Sequence, residues 1–160
     1  MKTSGIIILL VFVFFSLSCE KTTFYNPYNQ LQEDIQKIDA YLEENNIVAT
    51  KSSSGLRYVI VDEGLGSNPV RGNKVSVHYT GKLFDGKVFD SSYDRGEPFS
   101  YTHGISQVIQ GWDEGLSYIG ERGKITLYVP SVLAYGSRGS GTAIGPHENL
   151  MFDVELLSVQ

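Results

Sequence analysis

The apolar residues of this chain change period twice. From Ile6 to Phe15 they run unbroken (IIILLVFVFF). Between Asn26 and Asn45 they recur at Leu31, Ile35, Ile38 and Leu42, which lie on one face of a helix. Asn26-Pro27 supplies the start, a capping Asn followed by Pro at the first helical position. Glu33 and Asp34 suit its positive end, and Asn45-Asn46 is a stop. Beyond Gly55 the period drops to two, the signature of half-buried strands. Leu56 to Val61 opens the series. Val75, Val77 and Tyr79 then alternate with Ser76, His78 and Thr80. Ile125, Leu127 and Val129 alternate with Lys124, Thr126 and Tyr128 until Pro130 ends the run. Val154, Leu156 and Ser158 alternate with Asp153, Glu155 and Leu157. Asp85-Gly86 is a tight-turn pair. Lys51 to Gly55 (KSSSG) reads as a flexible join, and Gly111 to Ser117 as a short helix between strands. The expected fold class is α+β: an antiparallel sheet curled over one short helix, preceded by an N-terminal amphipathic helix.

Two uses remain open for the N-terminal apolar stripe. It can pack on the domain and space it from a membrane, or it can pair two copies in a homodimer. It is short for an isolated coiled coil. A chain of 160 residues suffices for one domain with a core. Its net charge of −5, with no basic stripe, argues against nucleic acid and against a long-range pull toward anionic lipid.

The sequence offers little reactive chemistry. It has no G-x-S-x-G elbow, and its one cysteine, Cys19, lies in the leader region. His78, His103 and His147 are far apart and form no H-x-x-x-H unit, so no metal site is expected. Gly136, Gly139, Gly141 and Gly145 lack the G-K-[ST] ending of a phosphate loop and read as a mobile flap. No cofactor is expected. What remains is a set of aromatics at segment ends: Tyr79, Phe89, Phe99, Trp112, Tyr135 and Phe152, with Asp90 beside them. Singly each is ordinary core. Together they suit a cleft with few functional groups, fit to bind and bend a peptide.

The segments VSVHYTG, DGKVFDSS, VIQGWDEGL, LAYG and LMFDVELL follow one another from Val75 to the C-terminus. In that order they resemble the FK506-binding-protein (FKBP) family of peptidyl-prolyl cis-trans isomerases. The resemblance implies an FKBP-like curled sheet with an apolar slot for a proline ring. Trp112 would form the floor, Tyr79, Phe89, Phe99 and Phe152 the walls, and Val108 and Ile109 one edge. The Ile109 N–H and the Tyr135 hydroxyl would donate to the ligand. Asp90 would sit near Tyr79 and Arg95, either in the chemistry or as a structural acceptor. Ile144 would close the slot from the flap. Such an enzyme needs no nucleophile. Rotation about Xaa-Pro crosses about 18–20 kcal/mol of amide resonance, and a site that binds the twisted amide better than the planar one lowers that barrier. The flap departs from better-known cytosolic members: Ser140 stands for histidine, Ala143 for isoleucine and Gly145 for proline. The implied consequence is a smaller flap and weaker binding of FK506-type macrolides. The competing class is a non-catalytic peptide-binding or chaperone module, and the retained pocket residues favour the enzyme.

Lys2 and the apolar run have the form of a signal peptide, too short to span a bilayer comfortably. Ser16-Leu17-Ser18-Cys19 resembles a bacterial lipobox, with Ser16 where leucine is usual, which makes Cys19 the lipidation site. The expected organisation is a lipoprotein signal peptide over 1–18, a lipid tether and helix over 19–50, and the isomerase domain over 51–160. The enzyme would be membrane-anchored and periplasm-facing, with the outer membrane preferred, acting on proline-containing exported polypeptides as they fold. The helix with YLEENNI and SGLRYVI further resembles FKBP-type lipoproteins of gliding bacteria, a motility-associated subgroup among them.

Overall fold

The computed structural model describes residues 26–160; the apolar run, Cys19 and the boundary at residue 18 lie outside them. Helix α1 spans Pro27–Glu44, and the Asn26 side chain accepts from the Tyr28 N–H at 3.0 Å. It ends at Asn45, after which Asn46 turns with φ 56°. Seven strands follow: β1 (Thr50–Lys51), β2 (Arg57–Asp62), β3 (Lys74–Leu83), β4 (Val88–Ser91), β5 (Phe99–Thr102), β6 (Lys124–Val129) and β7 (Leu150–Val159). Two short helices, α2 (Ser92–Arg95) and α3 (Gln110–Gly115), interrupt them.

All pairings are antiparallel, in the order β1-β2-β6-β7-β3-β4. β4 and β5 divide the outer edge of β3 between them, with α2 in the gap. The long β3–β7 ladder, from Val75 opposite Val159 to Leu83 opposite Leu150, forms the middle of the sheet. Its period-two pattern sends Val75, Val77, Tyr79, Phe152, Val154 and Leu156 to one buried face, joined by Ile125, Leu127 and Val129 of β6. That face closes on α3. A Cβ on Gly111 would lie 2.5 Å from Val129, and one on Gly115 would lie 2.5 Å from Leu127, so the helix rests directly on the strands.

The opposite face is covered too. Ile38 and Leu42 of α1 pack with Tyr128, flanked by Tyr41, Val59, Phe84 and Met151. Tyr128, placed on the polar side of its strand by alternation, is therefore buried by the helix. Of the predicted stripe, Ile38 and Leu42 are buried on the chain's own sheet, while Leu31 and Ile35 lie partly buried beside Gly55.

Two local expectations are corrected. Residues 51–55 are not a loose join: β1 pairs with β2, Ser52 N–H donates to the Leu56 carbonyl, and the Ser54 hydroxyl reaches Glu114 at 2.5 Å. The first turn of α1 holds no acidic residue, so neither Glu33 nor Asp34 serves its positive end, Asp34 least of all. It lies a turn further in, fully buried, because its carboxyl has partners on another loop.

α1 is also held by charge. The buried Arg57 guanidinium grips Asp39 through Nε at 2.9 Å and Nη2 at 3.2 Å, and donates through Nη1 to the Gly55 carbonyl. The hydrogen bond from Arg57 is the main cause that holds the Asp39 carboxyl below its ordinary 3.8, against partial burial. A depressed carboxyl stabilises the fold above its unfolded value and loses that contribution as pH falls through the folded one. Arg57→Met is therefore expected to be less stable than the parent near neutrality. The gap should narrow below about pH 4. Urea unfolding followed by Trp112 fluorescence across that range checks it, and a gap that widens in acid contradicts it.

Candidate active site

Between the concave face of the sheet and the start of α3 lies a cavity of about 260 Å³. Trp112 is its floor, held by the close seat of α3. Aromatic rings stand edge-on around the indole: Tyr79 at 4.9 Å between centroids and 85°, Phe152 at 5.3 Å and 84°, Phe99 at 6.2 Å and 72°. Phe89 leans on Phe152 in the same manner, 5.6 Å away at 88°. Edge-to-face pairing is the preferred geometry of aromatic quadrupoles and stiffens the walls. Gly81 makes room for two of these rings, since a Cβ there would stand 2.6 Å from Phe89 and 2.9 Å from Phe152.

The rim carries the polar groups. Val108 and Ile109 form one edge. The Ile109 carbonyl caps α3 by accepting from Trp112 and Asp113, while its N–H has no partner among the described residues. Tyr135 lines the opposite side, 41% exposed, and its hydroxyl likewise has none. Two residues lining the cavity thus carry a donor without a partner among the described residues. The Trp112 Nε1–H is also buried without a partner among the described residues.

Asp90 joins Tyr79 and Arg95 in a closed network. Its carboxyl accepts from the Tyr79 hydroxyl and pairs with Arg95 Nη1, and Arg95 Nη2 reaches the Tyr79 oxygen at 3.0 Å. The guanidinium also sits 5.5 Å over the Tyr79 ring. Burial, then the hydrogen bond to Asp90, raise the Tyr79 phenol above its ordinary 10.0, with Arg95 opposing. Burial and the charge of Asp90 raise Tyr135 likewise. Both phenols therefore stay neutral donors well into alkaline pH.

Nine of the ten catalytic or substrate-binding residues expected from the sequence line this one cavity: Tyr79, Phe89, Asp90, Phe99, Val108, Ile109, Trp112, Tyr135 and Phe152. Ile144 does not. It is buried in the core cluster, where its backbone pairs with Ser140 in both directions. Gly139 permits that turn, for a Cβ there would meet the Ile144 carbonyl oxygen at 2.3 Å. Gln107 was missed. It lines the cavity and accepts from the Thr102 N–H at 2.7 Å, and only its place beside Val108-Ile109 could have flagged it. A wider groove of about 540 Å³ lies between α1 and residues 146–149. It is lined by Tyr41 and Phe84, which meet edge-on at 4.7 Å, together with the charged Lys37, Glu44 and Glu148, and it holds none of the ten residues. Among the described residues no group of three His, Cys, Asp or Glu could hold a metal ion.

A sheet curled on one helix, with a ring-sized aromatic slot and two free donors at its rim, defines a protein that holds a cyclic residue within a peptide. Residues 66–157 match the FKBP-type peptidyl-prolyl cis-trans isomerase family, and the chain belongs to that family. It is an Xaa-Pro isomerase. It is 50% identical over 99 residues to an FK506-binding protein of Neisseria meningitidis serogroup A, covering 62% of this chain and 91% of that protein. It is 42% identical over 133 residues to the outer membrane protein MIP of Legionella longbeachae, covering 81% of this chain and 55% of that one. The crystal structure of FkpA from Escherichia coli superposes with a TM-score of 0.72 at 42% identity, over 84% of this chain and 62% of FkpA.

Because both phenols at the cavity are raised, kcat/KM is expected to hold level up to at least about pH 9. A stopped-flow pH profile checks this. A loss centred clearly below that value would mean that a cavity phenol ionises early.

Proposed function

We propose that the slot catalyses Xaa-Pro rotation by gripping the proline ring on Trp112, between Tyr79, Phe89, Phe99 and Phe152. Ile109 N–H and the Tyr135 hydroxyl then hold carbonyls of the flanking peptide. The observation that carries this reading is the pair of donors, without partners among the described residues, beside a cavity walled by aromatic rings. Twisting the amide withdraws charge from its carbonyl oxygen, so an apolar wall penalises the twisted form less than the planar one. Differential binding of a few kcal/mol gives about a hundred- to thousandfold acceleration. Asp90 contributes by fixing the Tyr79 wall, since both of its oxygens are engaged.

The parent protein spanning residues 20–160 is expected to accelerate isomerisation of a proline tetrapeptide. Phe89→Ala should lower kcat/KM about ten- to hundredfold by opening the wall, and Asp90→Ala should lower it less. No acceleration by the parent would defeat the reading. FK506-type macrolides are expected to bind through the same rings. Ser140, Ala143 and Gly145 offer less apolar area on the flap, which favours weaker affinity than in cytosolic relatives.

The clients are proline-containing polypeptides folding outside the cytoplasm, and the enzyme is a lipoprotein held to a membrane through Cys19. The apolar run Ile6 to Phe15, the Ser16-Leu17-Ser18-Cys19 sequence and the likeness to a protein named for the outer membrane support this. No helix of the described residues is long and apolar enough to cross a membrane. Cys19→Ser in the full chain should abolish incorporation of radiolabelled fatty acid and shift the protein from the membrane to the soluble fraction. Unchanged labelling would remove Cys19 as the anchor.

A further inference from the structure

We propose that Asp34, on α1, is a positioning residue for the isomerase, acting through the loop that carries Tyr135. The inference rests on the reading of Tyr135 as a donor to substrate.

The loop runs between β6 and β7, and its two ends are clamped by three buried side chains. At one end the Ser131 hydroxyl donates to Asp34 Oδ2 at 2.6 Å. At the other, Asn149 accepts from the Ser131 N–H at 3.0 Å and donates through Nδ2 to the Asp34 backbone carbonyl at 3.3 Å. The remaining carboxyl oxygen, Oδ1, accepts from Gln30 at 2.9 Å. Asp34 and Ser131 are wholly buried. Ser131 transmits its position directly: its carbonyl accepts from Ala134, and Pro130 accepts from Leu133, closing a single turn that ends beside Tyr135. Gly136, the next residue, is bound across the loop by the His147 N–H at 2.9 Å.

Asp34 is not needed to dock the helix. Ile38 and Leu42 already bury it against Tyr128, and Arg57 binds Asp39. Burying a carboxyl for adhesion alone is a poor choice, since a well-packed apolar residue serves stability as well or better. What a carboxyl adds is direction: it fixes where Ser131 sits, and so where the Tyr135 hydroxyl points. A displacement of a donor by a fraction of an ångström is enough to affect catalysis.

The test uses Asp34→Ala, Ser131→Ala, Asp34→Asn and Tyr135→Phe, with Asp34→Ala also placed in the Tyr135→Phe background. Each is assayed where circular dichroism shows it folded. Asp34→Ala and Ser131→Ala should each lower kcat/KM about five- to twentyfold, and Asp34→Asn, which keeps an acceptor for Ser131, should recover most of it. In the Tyr135→Phe background Asp34→Ala should add nothing. Amide exchange at Leu133 and Ala134 should quicken in Asp34→Ala while Ile125 and Leu127 stay protected. Retained kcat/KM in Asp34→Ala, a loss that persists in full beside Tyr135→Phe, or unchanged exchange at Leu133 and Ala134 each overturns the proposal. Should Asp34→Ala fail to fold, Ser131→Ala carries the same expectations. An inactive parent would refute the isomerase reading instead, and the exchange comparison would still decide whether Asp34 holds the loop.

Discussion

Everything at this site depends on how closely α3 approaches the sheet. Gly111 and Gly115 face Val129 and Leu127 with no room for a methyl group. That contact sets the height of Trp112 above the strands, and the height of Trp112 sets the depth of the cavity. With alanine at either position the helix must lift or the core side chain must move, and overpacking of this kind typically costs about 1–3 kcal/mol. The wall rings then arrange themselves edge-on to the indole, so floor and walls are one interlocked aromatic unit rather than separate contacts. A slot built this way is rigid before a ligand arrives, which is what discrimination between a planar and a twisted amide requires.

The polar part follows the same logic. Asp90 could have been a free negative charge at the cavity. Instead its carboxyl is engaged by Tyr79 and Arg95, and Arg95 also reaches across the Tyr79 ring. The network turns a charge into a brace for a wall, and it helps keep the Tyr79 phenol protonated. The donors at the cavity without partners among the described residues, the Ile109 N–H, the Tyr135 hydroxyl and the Trp112 Nε1–H, are all neutral. A reaction whose barrier is amide resonance gains from such neutrality, because the carbonyl oxygen loses charge as the bond turns.

The sheet and its aromatic face were legible because they depend on local period. Tyr79 and Phe152 fall on the buried phase of their strands, and the turn at Asp85-Gly86 forms as its residues dictate, with Lys87 N–H donating to Asp85. What could not be read depends on partners distant in the chain. Asp34 looked like a residue for the helix's positive end because Ser131 and Asn149 are remote in sequence. Tyr128 sat on the polar phase of β6, and only the docking of α1 buries it. The KSSSG run has a linker's composition, yet its backbone closes a hairpin and its Ser54 binds Glu114. Gln107 carries no pattern at all; its place comes from the loop that presents Ile109.

The docking of α1 also changes what a lipid on Cys19 would mean. A free helix of this length would add about 27 Å of reach. Docked on the sheet, it adds none of that reach. The slot would then work close to the bilayer, on chains that come to it. Releasing α1 to gain reach would break the Asp39–Arg57 pair and uncover Ile38, Leu42 and Tyr128. It would also take Asp34 away from Ser131, at the base of the loop that carries Tyr135. Reach and an ordered rim therefore oppose each other in this fold, and the buried polar clamp between α1 and the loop favours the ordered rim.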